Sequence, residues 1–218
     1  MSFNRLGPDP ADLQTGDLVW PRADRQIVTF DTDPSQDLPW MRAYTALRDA
    51  PTALSSEQSE QLELFVRDFW VGHVALIEVV DGIPWVVDAT PSRSGWAQPR
   101  TDGVAMQPYQ AFLDDAAHTE SHIWHGRASG QSPDAGRRLI EAARKHLGAK
   151  YDLRPWGFDR ADDFYCSKLI WHALRDGLGI TLDKKGPRVP QPWFTPWDVM
   201  QASGITLLYE PAGKSYRG

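Results

Sequence analysis

Two apolar runs on either side of residues 81 and 82 form the clearest pattern in the chain. Residues 73–80 (HVALIEVV) and 83–90 (IPWVVDAT) are rich in β-branched side chains, which predicts two strands. Asp81-Gly82 between them is typical of a two-residue hairpin turn. Pro84 has no amide hydrogen to donate, so it must face away from the partner strand or lie at a bulge. The pattern therefore predicts an antiparallel hairpin.

Apolar periodicity and turn residues predict the remaining elements. Residues 13–30 contain a Gly16-Asp17 turn and two apolar runs, typical of a strand or hairpin. Ser132 and Pro133 are typical of a helix start and Gly148 of a helix stop, which predicts a helix over 133–147. Residues 91–110 are predicted to be largely loop because they are rich in proline and glycine. One or two helices are predicted over 40–47 and 57–70. Further helices are predicted at 108–117, from Cys166 to Gly177 or Gly179, and from Thr195, and further strands at 120–128 and 205–210.

Length and composition predict one globular domain spanning residues 1–218. The chain has 218 residues, of which 41% are hydrophobic and 24% charged, and these values exclude disordered and fibrous classes. Its formal net charge is −6 and its Lys and Arg residues are not clustered. A nucleic acid or an anionic membrane needs a concentrated basic surface, so neither partner is expected.

The N-terminal sequence, MSFNRLGPDPADLQTGD, lacks the apolar core of a signal peptide. No segment approaches the ~18 consecutive apolar residues of a membrane-spanning helix. We therefore expect a cytoplasmic protein without a transmembrane segment. Any action outside the producing cell would require an export route that does not depend on a signal peptide.

The single cysteine, Cys166, separates two kinds of function. One cysteine excludes an internal disulfide and a cysteine-based zinc cluster, which leaves either an inert buried thiol or a reactive one. Cys166 follows a loop and begins a predicted helix, where free backbone N–H groups and the helix dipole stabilise a thiolate. This position suits a nucleophile if a base lies nearby.

The predicted hairpin supplies a candidate base and a candidate acid. With a two-residue turn, His73 and Asp88 project from the same side of the sheet as diagonal neighbours, about 7 Å apart at Cβ. A carboxylate can reach an imidazole across this gap. A three- or five-residue turn would put them on opposite faces. Without Cys166, such a pair would be interpreted as a structural hydrogen bond.

In sequence order, a histidine heads one strand, an acid ends the next, and Tyr-Cys-Ser opens a distant helix. This arrangement resembles the permuted NlpC-type papain-like amidases of the YaeF/YiiX group. The matching segments are Gly16-Asp17, 72–76, 86–90, Tyr151-Asp152, 165–167 with 169–171, and 195–198. The helical stretch near 31–70 looks like an insertion. The group tends to have Glu where this chain has Asp88, and Glu after the Cys-Ser pair where it has Lys168.

The resemblance implies an α+β, circularly permuted papain-like fold whose antiparallel sheet packs against helices. It implies a bacterial cysteine amidase or peptidase with Cys166 as nucleophile, His73 as base and Asp88 orienting that base. The leading substrate is a peptide or muropeptide, cleaved at an amide or isopeptide bond of a peptidoglycan stem peptide. No cofactor is predicted, and an inhibitor or immunity partner is left open.

Two neighbours of the cysteine are candidate substrate-binding residues. Tyr165 lines the pocket in one interpretation and packs in the core in the other, whereas Lys168 would set substrate preference. No metal site is predicted. His118, His122 and His125 would share a face only on a helix, and the preferred strand puts His122 and His125 on opposite faces.

Two other functions stay open at this point. The first is a lipid acyltransferase or thioesterase of the lecithin:retinol acyltransferase-like type, which shares the permuted fold but resembles an Asn-Cys-Glu-His-Phe pattern that this chain lacks. The second is a catalytically silent binding module whose ten tryptophans line a ligand groove. A silent module would have a thiol of ordinary, slow reactivity.

Overall fold

Six strands form one antiparallel sheet in the computed structural model, which describes residues 7–23, 73–91, 102–118, 121–128, 130, 132–152, 159–182 and 195–209. The strands of this sheet are β1 (Leu18–Ala23), β2 (Ala75–Val80), β3 (Ile83–Thr90), β4 (Gly103–Pro108), β5 (Ser121–Ala128) and β8 (Ile205–Tyr209). Their order is β4-β3-β2-β1-β5-β8. Two short strands, β6 (Lys150–Tyr151) and β7 (Asp163–Phe164), form a separate parallel pair. The helices are α1 (Tyr109–His118), α2 (Pro133–Arg144), α3 (Cys166–Leu178) and α4 (Pro196–Gln201). The predicted α+β class is confirmed.

The hairpin predicted around residues 81 and 82 is present with the predicted register. Val80 pairs with Ile83, and both turn residues have positive φ, 51° at Asp81 and 77° at Gly82. These angles are typical of a two-residue hairpin turn whose backbone twist matches the right-handed twist of the two strands. Pro84 pairs with Val79, while the pairing of β3 with β4 begins one residue later, at Trp85. The missing amide hydrogen of Pro84 therefore interrupts no β3–β4 pairing.

The sheet carries an apolar cluster on each face. On one face, Leu76 and Val87 pack with residues of α2, α3 and α4. On the other, Ala75, Ile77 and Val86 pack with α1 through aromatic residues such as Phe112. Strand alternation produces this division, because neighbouring residues of a strand point to opposite faces. The sheet is thus the middle layer of three.

Most predicted elements are present, but the loop predicted at 91–110 is wrong in its second half. Residues 103–108 form β4, which pairs with β3 along its whole length. Gly103 permits this entry to the strand, because it has φ 112° and any Cβ there would lie 2.0 Å from the carbonyl oxygen of Ala149. Cross-strand pairing and close backbone packing outweigh the loop-like composition.

Element boundaries differ slightly from those predicted. β2 begins at Ala75, two residues after His73. α2 ends at Arg144 rather than 147, because residues 145–148 form turns. α3 ends where predicted, with Gly179 as a left-handed cap at φ 67°. The helices predicted at 40–47 and 57–70, and the whole proposed insertion at 31–70, lie outside the described residues. Among the helices described, none is long and apolar enough to cross a membrane.

Candidate active site

His73 and Asp88 are joined at the end of the β2–β3 hairpin that lies away from the turn. His73 Nε2 lies 2.9 Å from Asp88 Oδ2, and the two residues are 7% and 2% exposed. The predicted register produces this contact, because it places both side chains on one side of the sheet. A carboxylate only accepts hydrogen bonds, so Nε2 carries the proton and Nδ1 faces away from the acid.

Cys166 completes the cluster from another layer of the fold. It is the first residue of α3, is 6% exposed and hydrogen-bonds to the imidazole of His73. Because Nε2 is bonded to Asp88, Nδ1 is the nitrogen available to the thiol. The amide of the first helical residue has no acceptor within its helix and adds positive potential beside the sulfur.

The protonation of His73 reflects both of its partners. Burial is the largest single influence and lowers the pKa of His73, because it disfavours the charged imidazolium. Hydrogen bonds to Asp88 and Cys166, together with the charges of both groups, outweigh burial and raise the pKa to about 9. At neutral pH the imidazole is therefore held in its protonated form.

The three residues meet although they belong to different packing clusters. Asp88 shares its face of β3 with Val86, in the cluster that includes α1. Cys166 belongs to the cluster on the opposite face. Phe112 of α1 lies against His73, with ring centroids 6.1 Å apart. The site thus forms where the first turn of α3 reaches the open end of the hairpin.

Gln107 is a site residue that sequence reasoning missed. Its Nε2 donates to Asp88 Oδ2 over 3.3 Å, so this oxygen accepts from both Gln107 and His73. Gln107 pairs with Val86 across the β3–β4 ladder, which makes it the diagonal neighbour of Asp88 on the same face. Only a predicted strand at β4 could have placed Gln107 beside Asp88, and the sequence predicts a loop in this segment.

Tyr165 immediately precedes the helix and occupies its N-cap position. Its backbone is extended and its side chain makes no capping hydrogen bond, so its role at the helix start is through the backbone. The residue is 4% exposed and belongs to the buried core. Contact between this ring and a substrate stays a prediction.

Lys168 is directed into the fold. The residue is 1% exposed, and its Nζ donates to Asp163 Oδ1 over 2.8 Å and lies 5.4 Å from the centre of the Phe164 ring. The ammonium therefore stabilises the junction between β7 and α3. Its proposed contact with substrate stays a prediction that this geometry does not favour.

Tyr151 adds a phenol near the cysteine. The pKa of Tyr151 is raised well above its usual value, chiefly by burial and next by the negative charge that Cys166 can carry. Tyr151 pairs with Phe164 in the β6–β7 ladder, and Cys166 follows two residues after Phe164. The phenol therefore stays neutral and able to donate a hydrogen bond beside the thiol.

Two of the histidines considered as metal ligands, His122 and His125, do not converge. His122 and His125 lie three positions apart on β5 and so point to opposite faces, as predicted. His125 Nε2 lies 2.7 Å from Asp17 Oδ2, and Arg127 donates to both oxygens of Asp17 over 2.5 and 2.9 Å. Burial alone would raise the pKa of Asp17, but these hydrogen bonds lower it overall.

A second set of potential ligands lies on α3, the helix of the cysteine, and on the turn that follows α2. One atom each from His146, His172 and Asp176 lie within 4.8 Å of one another. Arg175 already donates to His172 Nδ1 over 3.1 Å and to Asp176 Oδ1 over 2.6 Å. A metal ion would have to displace this guanidinium, so the set fits a salt-bridged cluster better than a metal centre.

Comparison with known proteins gives the family. The family model described as "Permuted papain-like amidase enzyme, YaeF/YiiX, C92 family" matches residues 54–186. The chain belongs to this family. It is therefore a papain-like cysteine amidase or peptidase, as the resemblance implied. The match covers more than half of the chain and includes residues 54–70, part of the stretch predicted to be an insertion.

A solved structure confirms the fold of this amidase. It is described as metalloprotein YiiX from Escherichia coli O157:H7, and it aligns with a TM-score of 0.57 over 90% of this chain and 97% of its own. The two sequences are 16% identical, so the likeness concerns the fold. No curated protein matches the chain significantly.

Proposed function

We propose that this amidase hydrolyses an amide or isopeptide bond in peptidoglycan stem peptides, with Cys166 as nucleophile, His73 as base and Asp88 orienting the base. One observation carries the proposal: the His73 imidazole is hydrogen-bonded to a carboxylate on one side and to the only thiol of the chain on the other. A thiol is activated for acyl transfer when a base hydrogen-bonds to it and a third group orients that base.

In the proposed first step, the site starts as the thiolate–imidazolium pair that forms when the thiol of Cys166 passes its proton to His73 Nδ1. The resulting thiolate attacks the carbonyl carbon, and the carbonyl oxygen becomes an oxyanion. The backbone N–H of Cys166, at the start of α3, donates to this oxygen. As the C–N bond breaks, His73 returns the proton to the leaving amine, and a thioester remains.

In the second step, water replaces the amine. His73 takes a proton from water as the water oxygen attacks the thioester carbonyl. The C–S bond then breaks, the carboxylic acid leaves and the thiolate–imidazolium pair is restored. Asp88 keeps the proton of His73 on Nε2 throughout, so that Nδ1 faces the reacting atoms.

The choice of stem peptides rests on the family and on the charges near the site. Asp159 and Asp162 are exposed on the chain segment that leads into β7 and Cys166. Exposed carboxylates on the segment that leads to the nucleophile favour a substrate that carries a free amine, and stem peptides present amines on their diamino acid. An anionic lipid would be repelled by the same charges.

Mass spectrometry of purified muropeptides incubated with the full chain tests this proposal. The expected result is cleavage of one amide bond, seen as fragments whose summed mass exceeds that of the muropeptide by one water. The Cys166→Ala variant should give no such fragments. A fluorogenic acyl ester and a phospholipid are assayed in parallel. Turnover of the acyl ester or the phospholipid but not of the muropeptides would replace the proposed substrate. If no compound were turned over and the thiol of Cys166 were unreactive, the result would support a binding module.

A further inference from the structure

The Asp88 carboxylate is buried and held by two donors on one oxygen. Asp88 Oδ2 accepts from His73 Nε2 over 2.9 Å and from Gln107 Nε2 over 3.3 Å. An aspartate that is 2% exposed has lost the water that would otherwise solvate it, so each protein donor stabilises its charged form. The amide of Gln107 replaces part of that solvation.

The orientation of the Gln107 amide follows from chemistry. Its oxygen and nitrogen have similar shape, but the carboxylate of Asp88 can only accept, so the nitrogen must face it. The β3–β4 ladder fixes this approach, because Asp88 pairs with Ala105 and Gln107 lies two residues farther along β4, on the same face. Gln107 comes from the side of Asp88 away from β2.

We infer that Gln107 is a positioning residue that holds the Asp88 carboxylate against His73. The inference rests on the proposed function, since the side chain of Gln107 donates to Asp88 and acts through that carboxylate. An aspartate is one methylene shorter than a glutamate, so its reach to His73 depends on its rotamer. A second donor on Oδ2 restricts that rotamer and keeps the raised pKa of His73 in place.

The test uses the alkylation of Cys166, which requires no knowledge of the substrate. Iodoacetate is an anion, so it reacts faster with a thiolate while the adjacent imidazole is protonated and positively charged. Its rate should therefore fall as the pH rises through the pKa of His73, which is about 9. Iodoacetamide is neutral and should lack this falling limb. The difference between the two reagents reports the ionisation of His73.

The Gln107→Leu variant removes the donor and keeps a similar volume. Its falling limb should move to lower pH by about half a unit or more, because a loosened Asp88 raises the pKa of His73 less. Gln110→Leu is the matched control: Gln110 donates to Asp114 over 3.0 Å, the same kind of contact on the exposed surface of α1. This control should behave like the wild type. Gln107→Met, also without a donor, replaces the Leu variant if that variant does not fold.

Combining Gln107→Leu with Asp88→Asn separates positioning from general structure. A residue that acts only through Asp88 should cause no further shift once the carboxylate is gone. An equal shift in both backgrounds, or none in the wild-type background, would overturn the inference about Gln107. Loss of the falling limb in the wild type itself would instead overturn the thiolate–imidazolium pair on which the proposed function depends.

Discussion

Among the described residues, two buried histidine–aspartate pairs can be compared directly. His73 contacts Asp88 at 2.9 Å and His125 contacts Asp17 at 2.7 Å, and all four residues are at most 7% exposed. By these distances and exposures the pairs are alike. The difference lies in the third group, which is the thiol of Cys166 for the first pair and the guanidinium of Arg127 for the second.

The third group decides what each pair can do. Arg127 neutralises Asp17 permanently, since arginine stays protonated at any working pH, and both carboxylate oxygens are engaged. Asp17 also accepts from the backbone N–H of Gln14, so the cluster fixes the turn that leads into β1. The thiol of Cys166 can instead exchange its proton with His73. A buried histidine–aspartate pair is therefore evidence of catalysis only when a nucleophile completes it.

The largest expected effect is the loss of turnover on removal of the nucleophile or base. Cys166→Ala and His73→Ala should each lower kcat by ~10⁴-fold or more, because both groups act in the transition state of the proposed mechanism. The melting temperature of Cys166→Ala should stay close to that of the wild type. Steady-state kinetics on the cleaved muropeptide, with calorimetry of each variant, measures both quantities.

His125→Ala is the contrasting variant for this first prediction. It should unfold more readily and retain kcat per folded molecule. If Cys166→Ala kept its activity, or mainly lowered the melting temperature, the cysteine would be a core residue and the two pairs would be equivalent.

Asp88→Asn should have the next largest effect. The amide keeps nucleophile and base in place but no longer supplies the charge that favours the His73 imidazolium and fixes its tautomer. The expected loss in kcat approaches ~10⁴-fold on the precedent of serine-protease triads. Kinetics at several pH values would measure it, and a variant with wild-type kcat would show that another group orients His73.

Asp17→Asn should produce the opposite balance. It leaves Arg127 and His125 without a carboxylate in a buried site, which costs about 3 kcal/mol or more in free energy of unfolding. Activity per folded molecule should change little. Urea denaturation followed by tryptophan fluorescence measures the loss. Equal stability of Asp17→Asn and Asp88→Asn would remove the distinction between the two clusters.

Sequence reasoning could predict the first pair because its information is local. The Asp81-Gly82 turn fixes the register of the hairpin, and the register fixes which side chains share a face. The place of Cys166 at a helix start was equally local. That α3 reaches the end of this hairpin depends on the packing of three layers, and here only the family resemblance connected the residues.

The second pair and Gln107 were beyond such reasoning for two physical reasons. Asp17 and His125 are separated by 108 positions in sequence, and no turn or period relates β1 to β5. Gln107 lies on β4, whose glycine and proline residues suggested a loop until pairing with β3 made it a strand. Side chains placed by long-range pairing leave little trace in the local pattern.

The smallest expected effect is on the pH dependence, and it sharpens the comparison most. The pKa of His73 is raised from the ordinary 6.5 to about 9, so the imidazolium that protonates the leaving amine in the proposed mechanism persists at pH 8. Turnover should be lost as the pH rises through about 9, and should be about tenfold lower one unit above. The alkaline limb of kcat/KM against pH measures this value, because kcat/KM reports ionisations of the free enzyme.

Variants of the two aspartates should move this limb differently. After burial, which lowers the pKa of His73, the hydrogen bond that His73 donates to Asp88 is the foremost influence and the one that raises this pKa most. Asp88→Asn should therefore shift the alkaline limb to lower pH, toward the ordinary value of 6.5. Asp17→Asn should leave the limb where it is, since its carboxylate faces His125 and Arg127. An alkaline limb near pH 6.5 in the wild type would mean that Asp88 and Cys166 do not hold the proton of His73. The His73–Asp88 and His125–Asp17 pairs would then differ in their neighbours but not in their chemistry.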